Sequence, residues 1–107
     1  MELTSKQRAQ LRGMANSIDT IIQVGKEGIT DSLIRQVDEA LEARELIKGR
    51  VLENSMLTAR EVCDQLTKPT RSEPVQVIGS KFVLYRETHS KPKDKRIELV
   101  KEKKRKA

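Results

Sequence analysis

The segment Ile21-Ile22-Gln23-Val24-Gly25 constrains the fold more than any other. A short β-branched run stops at a glycine, crosses Lys26 and Glu27 to a second glycine, Gly28, and restarts at Thr30-Asp31 as a capped helical pattern. Leu33, Val37, Ala40, Leu41 and Arg44 trace the inner stripe of that helix, with Arg35, Glu39 and Glu42 suited to solvent. A strand leading through a glycine turn into an amphipathic helix commits the chain to packing helix against sheet.

The rest of the sequence extends this plan. Thr4 with Gln7 forms a capping-box pattern that opens a first helix, in which Leu11, Met14, Ala15 and Ile18 share a face with Arg8 and Arg12 to one side. Leu46 to Leu52 alternates as a strand, with Ile47, Gly49 and Val51 on one face and Lys48 and Arg50 on the other. Thr58 and Glu61 open a third helix with Val62, Cys63 and Leu66 inward, and residues 68–74, punctuated by Pro69 and Pro74, read as loop. Val75–Ile78 and Lys81–Tyr85 flank Gly79-Ser80, a two-residue hairpin linker. The expected fold class is α/β: a two-layer sandwich of order α-β-α-β-α-β-β, with helices on one side of a four-stranded mixed sheet. The expected division is a domain over residues 1–86 and a basic tail over 87–107, in which Ile97-Glu98-Leu99 could add a short edge strand.

Charge sharpens this division. Residues 1–86 hold 13 Lys/Arg against 12 Asp/Glu, whereas 87–107 hold 9 against 4, so most of the net +6 lies in the tail. A pI argument for nucleic-acid binding therefore concerns the tail more than the domain. Cys63 and His89 are the sole residues of their types, which leaves metal sites and His-dependent nucleophilic catalysis without support. No enzyme activity and no cofactor are expected. The N-terminal residues lack a signal-peptide core and no apolar run approaches a membrane span, so a soluble cytoplasmic protein, monomeric and away from membranes, is expected.

The glycine loop has two readings. A strand-to-helix connection often needs glycine simply to turn, and lysine there is commonly solvated. Alternatively, Gly25 and Gly28 let a backbone come close, Lys26 adds a cation, and the N–H groups near Ile29 to Asp31 face an anion. Neither the P-loop spacing nor the dinucleotide fingerprint is present. Lys6, Arg8 and Arg12 on the first helix, and Lys48 and Arg50 on the second strand, are further candidate RNA contacts, each also compatible with an ordinary solvated face. Phe82 and Tyr85 are the only aromatic residues and both fall in a strand, so base stacking of the RRM or OB-fold kind is excluded as a main binding mode.

Four blocks, Leu3–Gln7, Gln23–Thr30, Glu39–Lys48 and Val75–Gly79, resemble in order and spacing the bacterial YhbY family, the stand-alone form of the CRM domain. The likeness runs from about Leu3 to Arg86. It implies a fold like the C-terminal domain of translation initiation factor three, with sheet order 1-2-4-3 and strand 4 antiparallel. It also implies binding of ribosomal RNA or the pre-ribosomal large subunit, through a G-x-x-G loop that maps onto Gly25, Lys26, Glu27 and Gly28. Glu27 inside the loop and Gly49 between Lys48 and Arg50 depart from the most basic version of the pattern. An adaptor that docks on a ribosomal protein or assembly factor through an open sheet face is the rival reading.

Overall fold

Each helix starts where a side chain can satisfy an otherwise unpaired N–H. The computed structural model describes residues 3–92 and 95–100. Thr4 Oγ1 accepts from Gln7 N at 3.1 Å and Gln7 Oε1 accepts from Thr4 N at 3.1 Å, closing a capping box on α1 (Ser5–Ala15). Thr30 caps α2 (Asp31–Arg44) by accepting from Leu33 N at 3.0 Å. Thr58 and Glu61 form the same reciprocal pair on α3 (Ala59–Thr70). Strands β1 (Thr20–Val24), β2 (Leu46–Val51), β3 (Glu73–Ile78) and β4 (Lys81–Tyr85) form one sheet of order β1-β2-β4-β3. β1 and β2 run parallel, and β4 is antiparallel to both of its neighbours. The element order, strand order and strand directions match those expected.

The main core lies between the sheet and two helices. Ile22, Val24, Ile47, Val51, Phe82 and Leu84 meet Val37 and Leu41 of α2 and Val62, Cys63 and Leu66 of α3. The opposite face is not the open surface expected. Leu11 and Ala15 of α1 bury against Leu46, Val75, Val83 and Tyr85, so helices cover both sides of the sheet. The reason lies in β4, where Phe82, Val83, Leu84 and Tyr85 are all buried in succession. A strand apolar on both faces must be covered on both.

Gly49 is dictated by its cross-strand partner. It pairs with Phe82, and a Cβ at Gly49 would lie 2.2 Å from Phe82 Cζ. The ring lies over the glycine and fills the space its missing side chain leaves, so this glycine seats an aromatic group rather than loosening the strand.

Two prolines sit inside elements rather than in the expected loop over 68–74. Pro69 falls in the last turn of α3, which ends when Arg71 turns left-handed at φ 55 and its N–H reaches back to Lys68 and Thr67. Pro74 is the second residue of β3, an edge strand, where a missing donor on the outer side costs nothing.

The chain beyond Arg86 folds back onto the domain over its described part. Glu45, buried between α2 and β2, adopts φ 65, a left-handed backbone that a non-glycine residue rarely holds. Its carboxylate explains the position: Oε2 accepts from Thr88 N at 3.1 Å and Oε1 from Ile97 N at 2.7 Å. Its carbonyl accepts from Arg86 N at 2.9 Å. Residues 97–100 then run as an extended strap along α1, without forming the expected edge strand. Gln10 Nε2 donates to Glu98 O at 2.8 Å, Val100 N donates to Gln10 Oε1 at 2.7 Å, and Gln7 Nε2 donates to Val100 O at 3.1 Å. Ile97 and Leu99 pack on the α1 core. Residues 101–107, the most basic part of the tail, lie outside the described residues.

A second clasp closes the same corner. Arg86 bridges Asp38 at 2.6 Å and Glu42 at 3.3 Å, and donates to Thr70 O at 2.8 Å. Glu42 also accepts from the Thr88 hydroxyl. Hydroxyl donation from Ser90 and Thr88, against an opposing effect of burial, and then the Arg86 charge hold the Glu42 carboxyl at about 2, below its ordinary 4.5. A depressed carboxyl contributes stability above its unfolded value that disappears as pH falls through the folded one. Glu42→Gln is therefore expected to flatten the loss of stability between pH 4.5 and pH 2, read by denaturant melts of both proteins. Parallel pH profiles would show that the clasp contributes nothing.

Candidate nucleic-acid interface

The parallel pairing of β1 and β2, with β3 running the same way and β4 opposite, brings three connections to one end of the sheet. They are the glycine loop after β1, residues 52–58 after β2, and the Gly79-Ser80 hairpin between β3 and β4. α2 and α3 both start at this end, where open α/β sheets bind ligands.

The glycine loop is a hydrogen-bonded turn: Gly28 N donates to Gly25 O at 3.1 Å. Lys26 and Glu27 keep negative φ at its centre, as in a type I turn, and Gly28 follows at φ 69. Both central side chains are exposed. The two glycines differ in what they allow. Gly28 needs its positive φ, whereas a Cβ at Gly25 would make only ordinary contact, 3.5 Å from Asn54 Oδ1. The loop, the start of α2 and Asn54 line a shallow cavity of about 410 Å³. Thr30 spends its hydroxyl on Leu33 N, which leaves the N–H groups of Asp31 and Ser32 without a helical acceptor. Asp31, Glu27 and Glu53 bring negative charge to the same end, so its field is mixed.

The candidate residues fall into two groups. Gly25, Lys26, Gly28 and Arg50 lie at the loop end, with Lys48 one step down the same face of β2. Arg50 is exposed and pairs across the sheet with Gln23 on one side and Lys81 on the other. Lys81 therefore extends the basic row, and no sequence reading singled it out. Its alternation with Val83 and Tyr85, on the same face of the sheet as Lys48 and Arg50, is the signal that could have found it. Lys6, Arg8 and Arg12 do not join this group. Arg8 donates from Nε to Pro74 O at 3.3 Å, near the start of β3, and that strand's length of about 20 Å separates it from the hairpin. Arg12 shares its flank of α1 and Lys6 faces solvent. Among the described residues, Lys26, Lys48, Arg50 and Lys81 make no ion pair.

Other chemistry finds little footing. Burial pushes the Cys63 thiol up to about 11, so it is no nucleophile at neutral pH. Among the described residues no cluster of His, Cys, Asp and Glu could hold a metal ion. No helix among them is long and apolar enough to cross a membrane.

This fold, with a glycine loop leading into a capped helix at the strand ends, is that of a CRM domain. The chain belongs to the CRS1 / YhbY (CRM) domain family, which it matches over residues 3–86. It is 47% identical over 97 residues, 91% of this chain and 98% of the relative, to the Bacillus subtilis protein named Probable RNA-binding protein YqeI. A Haemophilus influenzae protein named RNA-binding protein is 31% identical over 84 residues, 78% of this chain and 85% of its own. The solution structure of hypothetical protein SAV1595 from Staphylococcus aureus superposes with a TM-score of 0.75 at 48% identity, covering 92% of this chain and all of that one.

Proposed function

We propose that this protein binds RNA by gripping its backbone at the glycine-loop end of the sheet, and that it serves assembly of the large ribosomal subunit as a cytoplasmic monomer without catalysis of its own. The observation that carries the reading is the convergence at one sheet end of the Gly25–Gly28 turn, the first N–H groups of α2, and the cations Lys26 and Arg50, which make no ion pair among the described residues. A phosphate diester meets all three at once: glycine for approach, N–H donors for its oxygens, and lysine for its charge. Relatives that carry RNA binding in their names support RNA over another polyanion. The ribosomal assignment rests on the likeness of the blocks around the loop to YhbY proteins.

Lys26→Glu and Gly25→Asp test this directly. Gly25 has room for a side chain, so both variants are expected to melt like the parent. Each is expected to weaken binding to large-subunit ribosomal RNA about tenfold or more, since one lost phosphate contact plus a repelling charge is worth well over 1 kcal/mol. Lys26→Ala should also reduce the slope of log affinity against log salt by about 1. Unchanged affinity in folded variants would remove the loop from the interface.

A further inference from the structure

The 52–58 connection is a partition between two cavities. Asn54 lies against Gly25 on the glycine-loop side, and Leu57 comes within 3.7 Å of where a Gly28 Cβ would stand. On its other side a second cavity, about 670 Å³, opens between this connection and the Gly79-Ser80 hairpin. Its lining combines the apolar Val51, Leu52, Leu57 and Ala59 with the polar Arg50, Glu53 and Ser80. Arg50 and Glu53 are both exposed and, among the described residues, neither makes an ion pair. Thr58, also in the lining, is already committed, since its hydroxyl accepts from Glu61 N.

Apolar side chains lining one cleft together with a guanidinium and a carboxylate, neither ion-paired among the described residues, suit a flat heteroaromatic group that carries an anion and bears N–H donors on its edge. A nucleotide has those features in that combination. We infer that this cleft receives a single unpaired nucleotide of the bound RNA, with its base against Leu52, Leu57 and Ala59, its phosphate at Arg50 and its base edge donating to Glu53. This inference rests on the proposed RNA grip at the glycine loop and adds base selection to it. Guanine is the favoured base, because its N1–H and exocyclic N2–H are adjacent donors that a single carboxylate accepts in parallel, whereas adenine and cytosine present one exocyclic amine. The cleft thus reads a base by its edge in a chain that lacks exposed aromatic residues to stack on.

The test is selection from a randomised single-stranded heptamer RNA pool by the full chain, followed by sequencing of the bound fraction, for the parent, Lys26→Ala and Glu53→Gln. The parent is expected to enrich guanine at one position about fivefold or more. Lys26→Ala should lower total retention and leave that preference intact. Glu53→Gln should lose the guanine preference while the glycine loop still retains RNA; Ser80→Tyr, which places a bulky side chain in the cleft lining, should lose it too. A parent without base preference, or a preference unaltered in both cleft variants, overturns the cleft while leaving the glycine-loop grip standing. Failure of the parent to retain RNA overturns both. Competition by free guanosine monophosphate at concentrations that do not disturb the rest of the bound pool would assign the cleft to a metabolite and also overturn the inference.

Discussion

A chain ended at Arg86 is expected to melt about 15 °C or more below the full protein, although among the described residues this cut removes no helix or strand. The loss has two sources. Ile97 and Leu99 leave the α1 core, which costs about 2 kcal/mol for two half-buried aliphatic side chains. Glu45 also loses the Thr88 and Ile97 N–H donors, and hydrogen bonds to a charged group contribute about 1.5–3 kcal/mol each. A chain ended after Val100 keeps both and is expected to melt with the full protein. The pair of truncations is read by thermal melts at one pH and salt concentration, and equal melting of the Arg86 and Val100 truncations would show that the strap does not bear on stability. The shorter tail also separates charge from structure. Residues 101–107 carry five Lys/Arg and one Glu, so the Val100 truncation should bind all RNA sequences more weakly and with a flatter salt dependence.

Gly49→Ala is the second large effect. Its Cβ would meet three atoms of the Phe82 ring at 2.2, 2.6 and 2.7 Å, and Phe82 is fully buried in the main core, with no empty direction to swing. Overpacking of this kind costs about 2–3 kcal/mol. Leucine at 82 is shorter and branched, so Phe82→Leu should relieve the clash while losing core contacts of its own. The double variant is therefore expected to lose less than the sum of the two single losses, by about 1 kcal/mol or more, the mark of direct contact in a double-mutant cycle. Strict additivity in denaturant melts would show that strand and ring do not meet as described.

Much of the fold was legible because its local signals were complete. Thr4 with Gln7 and Thr58 with Glu61 form reciprocal caps that need no tertiary help, and Gly79-Ser80 between two apolar runs leaves few alternatives to a hairpin. Pro69 misled because proline usually ends a helix, yet here it stands in the last turn and Arg71 supplies the true stop. The cover over the second face was only half legible. The run Phe82-Val83-Leu84-Tyr85 is apolar on both faces, but only the sheet order shows that Leu46 and Val75 complete the strip that α1 covers. Glu45 carries no local signal at all, since its role depends on N–H groups 43 and 52 positions away. At the candidate site, the turn at Gly25–Gly28 was readable from two glycines and a cap. Its separation from Lys6, Arg8 and Arg12 was not, because basic residues that look equivalent in a list lie at different ends of the sheet.

The strap carries a consequence for how the molecule is made. Gln7 and Gln10 hold backbone groups 88 to 93 positions later in the chain. A ribosome extending at about 5–20 residues per second delivers α1 seconds before the segment that seals its flank. Over that interval β1, β2 and the glycine loop can form, but the Glu45 carboxylate has nothing to hold. Closure of the second face therefore waits for the strap, and a nascent protein stalled before Ile97 would display its α1 flank to chaperones.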